Sequence, residues 1–337
     1  DVSKSFTQRT LLFWVALLPQ VAALALSKSW NSLLVVLCAV LGAALSEFDM
    51  LIEKSRLRLA LSYSLFTGTV IGFFLPPSYP PISVFFITFI FMFAAKSAFG
   101  PTGVSWLSPV GLVVAAAWFM GRTAFGGFSI SGAELSAKNP SLALIDGAML
   151  LNGVDEKITL FLNDTVFRLF NVSIPNGYVS LFWDNHALIP ACRFTFLTML
   201  ASIFLVALDL KKTSIPLIFL SVYFALVKFV SPAFTGASPM GGDVILAFLS
   251  SGLLFASVFA LQWPGTTPTS FFGKIIYAII CAAIAFVFCG TGTSPVGAAM
   301  TLLFSNIVSP VLQALENRRL KAKLSLLLKA KLGERAQ

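Results

Sequence analysis

Apolar residues in this chain fall in long unbroken blocks, separated by short polar turns, instead of alternating with the period of a half-buried helix or strand. Each block is about 20 residues long, the length that carries a helix across roughly 30 Å of hydrocarbon. Ten spans are predicted, at 9–27, 31–48, 59–77, 81–98, 104–121, 189–208, 214–231, 242–263, 271–289 and 295–314. One polar interval, 122–188, is much longer than the others. The pattern is that of an all-α polytopic membrane protein with four parts: a first membrane half of five helices (1–121), a loop region (122–188), a second membrane half of five helices (189–314) and a tail (315–337). Lys4 and Arg9 precede the first block and Ala23-Leu24-Ala25 lies near its end, as in a cleavable signal peptide; the further blocks that follow at once, and Trp14 and Pro19 inside it, favour a span.

Composition excludes a soluble protein. With 57% hydrophobic residues, 11% charged residues and 34 Phe, the 337-residue chain lacks the polar surface to cover a globule of its size. Sixteen of its 23 Lys and Arg fall on the face that carries both termini. By the positive-inside rule both termini are cytoplasmic and the 122–188 region lies outside. The tail holds Arg318, Arg319, Lys321, Lys323, Lys329, Lys331 and Arg335 among leucines. It reads as a basic amphipathic segment on the anionic cytoplasmic leaflet, or as a cationic stop that fixes topology. No folded basic domain or aromatic platform accompanies these charges, so nucleic acid is not an expected partner.

The two halves echo each other. Ser108-Pro109-Val110-Gly111 recurs as Ser294-Pro295-Val296-Gly297, each after a Gly/Thr-rich turn, and Leu65-Phe66-Thr67-Gly68 pairs with Leu249-Ser250-Ser251-Gly252. The copies lie five spans apart, an odd number, so the second is inverted in the membrane. Inverted repeats are a transport-protein plan, with sites between the halves at helices broken by Gly and Pro. The turns at 100–111 and 290–297 are either such breaks or ordinary helix starts with proline in the first turn.

Chemistry-bearing residues are sparse. His186 is the only histidine, and Cys38, Cys192, Cys281 and Cys289 show no ligand spacing, so no metal site is expected. Cys281 and Cys289 are two turns apart and can share one helix face. A phosphate-cradling GxxxxGK[ST] loop and a dinucleotide GxGxxG are absent. Ionisable residues near membrane depth are costly and so mark sites. The candidates are Asp243, Lys228 and Arg193 toward the outer face and Lys96 toward the inner one, with Asp243 and Lys228 either paired or snorkelling separately. Glu47, Asp49 and Glu53 beside Lys54, Arg56 and Arg58 read as a solvated cytoplasmic loop.

Phe128-Ser129-Ile130-Ser131-Gly132-Ala133-Glu134 resembles the flavin-attachment sequence Asp-x-x-Ser-Gly-Ala-Thr of the RnfD and NqrB family. Further matches are Leu75-Pro76-Pro77, Ala95-Lys96-Ser97-Ala98-Phe99-Gly100-Pro101-Thr102-Gly103 and the run Gln262-Trp263-Pro264-Gly265-Thr266-Thr267-Pro268. The order of these motifs and the ten-span count identify the chain as similar to that family over nearly its whole length. The resemblance implies a membrane subunit of an Rnf-type complex in the bacterial cytoplasmic membrane. Such a complex couples ferredoxin/NAD electron transfer to Na+ or H+ translocation, with other Rnf-type subunits as partners and FMN or riboflavin as cofactor. It points to Ser131, Gly132, Ala133 and Glu134 for flavin binding. Ser238, in Thr235-Gly236-Ala237-Ser238-Pro239, adds a second stretch of similar chemistry that retains a hydroxyl. Glu134 stands where the family threonine carries FMN through a phosphoester, and a carboxylate cannot replace an alcohol there, so a noncovalent flavin or none is expected. No catalytic residue is assigned. Two alternatives remain: a B-type subunit of a Na+-translocating quinone reductase, from the same family, and a non-redox permease on the same inverted repeat that has lost redox function along with the departures at Phe128 and Glu134.

Overall fold

The computed structural model describes residues 5–48, 50, 56–100, 105–126, 153–170, 173–210, 213–235, 240–263, 266–268, 270–292 and 294–334. Among them all regular structure is helical. The helices of the first half are α1 (Phe6–Leu26), α2 (Trp30–Ser46), α3 (Leu57–Phe73), α4 (Pro81–Phe99) and α5 (Pro109–Met120). Two short helices follow in the loop region, α6 (Val154–Thr165) and α7 (Tyr178–Trp183). The second half comprises α8 (Thr195–Ala207), α9 (Ser214–Phe229), α10 (Ser231–Thr235), α11 (Val244–Ser250), α12 (Leu253–Phe259), α13 (Phe271–Cys289) and α14 (Gly297–Glu334). Four of these helices, α1, α4, α13 and the first part of α14, are long and apolar enough to cross a membrane; α2, α3, α5, α8 and α9 are shorter apolar helices. The chain is a multi-pass membrane protein, and nine of its ten predicted spans map onto single helices.

Local chemistry sets the helix ends. Ser5 caps α1 through a capping box, its hydroxyl accepting from the Gln8 amide while the Gln8 side chain accepts from the Ser5 amide. Proline opens α4 and α5 at the first helical position, where its missing N–H is not needed. Ser108-Pro109 is therefore a helix start, and Ser294-Pro295 likewise lies in the turn that leads into α14. Neither is the broken helix that the inverted-repeat plan expects.

The break lies in the eighth span, the one that differs from expectation. The predicted helix 242–263 is divided at Ser251-Gly252 into α11 and α12, with Gly252 at φ +67°. Its counterpart in the first half, Gly68, lies inside the unbroken α3. A Cβ at Gly68 would fall 2.4 Å from Val40 Cα, and one at Gly72 would fall 2.6 Å from Val36 Cα. This G-x-x-x-G spacing lets the α2 and α3 backbones come into contact, as small residues do between helices in lipid. Equivalent glycines thus do different work: close packing in one half, a left-handed break in the other.

Contacts between helices reproduce the duplication. In the first half span two packs on spans three and four, one on three, four on five, and three on five. Each pairing recurs five spans later: α9 on α11, α12 and α13, α8 on α12, α13 on α14, and α12 on α14. The halves meet where spans touch their own counterparts, α1 on α8 and α5 on α14. Gln20 of α1 donates to Thr198 near the head of α8 (2.8 Å), and Arg193 just before α8 donates to Ser29 just after α1 (3.0 Å). The counterparts are therefore antiparallel, the signature of two inverted five-helix repeats about an axis in the membrane plane. One end of the bundle, here the terminal end, carries the start of α1 and the extension of α14; the opposite, loop end carries α6 and α7.

The inversion is testable with single cysteines at Trp106 and Thr291, in a background lacking the four native cysteines. An impermeant maleimide should label Trp106→Cys and Thr291→Cys from opposite sides of the membrane. Labelling of both from the same side contradicts the inverted arrangement.

Candidate functional site

At the terminal end, between the halves, a cavity of about 440 Å³ is lined by residues of α1, α3, α9, α12 and α13 and of the segments beside them. Its walls are aromatic. Phe66 stacks on Trp263 (ring centroids 5.3 Å apart, planes 13° apart), Phe13 lies 5.4 Å from Phe66, and Tyr63 meets Trp263 edge-on at 6.0 Å. Phe259 continues the lining. Polar groups in the lining are few: Thr10, Gln262 and Thr267, with the cations Arg9 and Lys274. A flat aromatic ligand suits such walls, and an anionic substituent suits the two cations. Trp263 is 2% exposed and supplies this wall.

Tyr63, behind Trp263, lines a second, far smaller void with Glu47, Lys96 and Ser105. Here the structure corrects the reading of Glu47 as part of a solvated loop. Its carboxylate, 2% exposed, accepts from the Lys96 ammonium at 3.1 Å. Asp49 and Glu53 lie outside the described residues. A buried ion pair at a bundle end marks a candidate ion-handling group more strongly than a surface charge does.

The loop end gathers the remaining ionisable candidates, in pairings that differ from those expected. Asp243 and Lys228 do not pair. Asp243 caps α11, accepting from the Leu246 amide (3.0 Å), and it also accepts from the Tyr178 hydroxyl. Lys228 donates to the Gly242 carbonyl (3.3 Å). Burial, and then the adjacent Asp243 carboxylate, push the Tyr178 hydroxyl well above its usual range. Arg193 grips Asp184 with two nitrogens, Nε to Oδ1 at 2.9 Å and Nη2 to Oδ2 at 2.5 Å. The amide of His186 donates to the same carboxylate (2.9 Å). Asp155, at the head of α6, accepts from the Gly177 amide (2.8 Å), from the Ser180 amide and hydroxyl (2.7 and 2.6 Å) and from Thr159 (3.3 Å). Burial opposes its charge, but these donors together hold the carboxyl below its usual range.

These loop-end contacts converge on the break in span eight. Asn185 Nδ2 donates to the Leu249 carbonyl (2.9 Å) and the Cys192 carbonyl (3.0 Å), and Thr195 reaches the same Leu249 oxygen at 3.4 Å. Cys281 and Cys289 are both fully buried on α13, as sharing one packed face requires, and all four cysteines are free. No group of three or more metal-ligating side chains occurs among the described residues. The resemblance-derived flavin residues Ser131, Gly132, Ala133, Glu134 and Ser238 lie outside the described residues. Arg9, Thr10, Phe66 and Lys274 were not singled out as site residues by sequence. The signal available was an aromatic pair one turn apart, Tyr63 and Phe66, in a span that also carries a glycine pair.

A duplicated, inverted helical body with an aromatic cavity between its halves defines the class: a polytopic membrane protein. The chain belongs to the NQR2, RnfD, RnfE family, whose model matches residues 2–321. It is similar to the D subunit of the proton-translocating ferredoxin:NAD(+) oxidoreductase complex of Clostridium ljungdahlii, with 22% identity over 290 residues covering 84% of this chain and 81% of the relative. It is also similar to the D subunits of the ion-translocating oxidoreductase complexes of Salmonella paratyphi A and Salmonella typhi, each 25% identical over 336 residues with 90% of both chains covered.

Removing the Lys96 ammonium should leave Glu47 buried without its cation. Lys96→Met is expected to cost about 3–5 kcal/mol, read as a large fall in Tm of the detergent-purified protein, and adding Glu47→Gln should restore most of it. An unchanged Tm in Lys96→Met contradicts the buried pair.

Proposed function

We propose that this chain is the D-type membrane subunit of an ion-translocating ferredoxin:NAD oxidoreductase, lodged in a bacterial cytoplasmic membrane with its terminal end in the cytoplasm. The family and the names of its relatives support the subunit class. The distribution of Lys and Arg supports the orientation, since the terminal end carries most of the cations. The observation that carries the functional reading is the cavity, with its stacked Phe66–Trp263 wall and its two cations.

A flavin fits this donor set. Phe13, Phe66 and Trp263 would hold the ring, Thr10, Gln262 and Thr267 would meet its polar edge, and Arg9 and Lys274 would favour an anionic form or a phosphate. A bound flavin supplies one- and two-electron transfer. The protein's own part is to exclude water from the cavity and to place the site near a second charge. Tyr63 stands between the cavity wall and the Glu47–Lys96 pair, touching Trp263 and lining the void beside Glu47. A change of charge in the cavity is thus one aromatic side chain away from a buried carboxylate, where water screens weakly. That closeness is a physical route for coupling electron transfer to movement of Na+ or H+. Other membrane and peripheral subunits of the complex would supply the electron entry and exit groups.

The test is the visible spectrum and denaturing gel of the purified complex. A flavin spectrum is expected, with the flavin released on denaturation and no ultraviolet fluorescence at this chain's band, because Glu134 offers no alcohol. Trp263→Ala should lower the flavin content several-fold while the partners remain bound. A colourless protein purifying without redox partners would instead favour a permease built on the same repeat.

A further inference from the structure

The terminal end carries a further cavity, outside the proposed flavin site. α14 runs antiparallel beside α13 along its whole length, from Gly297 against Cys289 to Glu316 at Ser270, where the Glu316 carboxylate accepts from the Ser270 hydroxyl and amide. The helix then continues without a break to Glu334, roughly 27 Å past the head of α13 at 1.5 Å per residue. Residues 315–334 of the tail thus continue the last span as helix. Where α14 overhangs the head of α13, a groove of about 310 Å³ opens between the two helices.

The groove is made in two tiers. Its floor is apolar: Phe272 and Ile276 from α13, Leu312 and Leu315 from α14. Phe272 is 75% exposed and Leu315 49%, so the floor runs out onto the surface of the bundle that faces lipid. Its upper rim is cationic. Arg319 and Lys323 follow Leu312, Leu315 and Glu316 at helical spacing, so they share that face and lie over the groove one and two turns beyond it. The one carboxylate in the lining, Glu316, is engaged by Ser270. An apolar slot at the edge of the hydrocarbon, with two cations just above it, matches the division of a phospholipid into acyl chain and phosphate. The geometry points to a site for an anionic phospholipid, its acyl chain between α13 and α14 and its phosphate on Arg319 and Lys323. A protein partner would need a surface reaching down to Phe272 and Ile276, at the depth occupied by lipid tails, which favours the lipid.

The full-length protein, purified in mild detergent, should retain phosphatidylglycerol in preference to phosphatidylcholine in native mass spectrometry. Arg319→Gln/Lys323→Gln should weaken that retention roughly 20- to 30-fold, the effect of two interfacial cations. Ile276→Trp fills the slot but leaves both cations, and it should also abolish retention. All these positions are on the surface of the bundle, and a monodisperse elution profile confirms that each variant is folded. Equal retention of both lipids, or retention unchanged in either variant, overturns the site. Displacement of the lipid by inorganic phosphate alone would reassign the cations to a free anion. Loss of a copurifying soluble subunit in the double variant, with lipid retention unchanged, would reassign them to a protein partner.

Discussion

In hydrocarbon no water is present to satisfy a freed backbone group, so a helix can break at membrane depth only where protein supplies the missing partner. In this chain the partner for span eight is Asn185. Its side-chain amide holds the Leu249 carbonyl at the end of α11 while also holding Cys192, just ahead of α8. Much of the loop end serves to position that one side chain. Arg193 clamps Asp184 next to it and reaches Ser29 beside α1, Tyr178 ties α7 to the Asp243 cap of α11, and Asp155 fixes the head of α7 to α6. The region between the halves is thus stitched to three separate spans.

This arrangement shows how the two copies of an inverted duplication differ. The first half keeps α3 whole, with Gly68 and Gly72 pressed on α2. The second half breaks the equivalent helix at Gly252, so α12 is a separate short segment leading to Trp263. Trp263 then crosses to stack on Phe66 of the other half and closes the cavity wall. Two copies of one plan have diverged at equivalent glycines, and the cavity lies where their products meet.

Span positions were legible in the sequence because hydrophobic length is a local property, and the repeat was legible because Ser-Pro-Val-Gly occurs in both halves. Gly252 was visible as part of that repeat, but whether a glycine packs closely or breaks a helix depends on its neighbours in space. Val40 lies 28 positions from Gly68, and Asn185 lies 64 from Leu249, so nothing local distinguished the two outcomes. The same limit applies to the charges. Sequence left Asp243 and Lys228 either paired or apart; they are apart, and the hydroxyl partner of Asp243, Tyr178, comes from the long loop. Glu47 looked solvated among neighbouring charges, and Lys96, 49 positions away, is what makes its burial tolerable.

The most direct test of this account is hydrogen–deuterium exchange of the purified protein with and without Asn185→Leu, a substitution that removes the donor but keeps the bulk. The account predicts faster exchange in peptides covering α11 and α12, with peptides covering α3 unchanged, because only the broken span depends on an outside donor. Unaltered exchange across residues 244–259, or equal acceleration in α3, would contradict it.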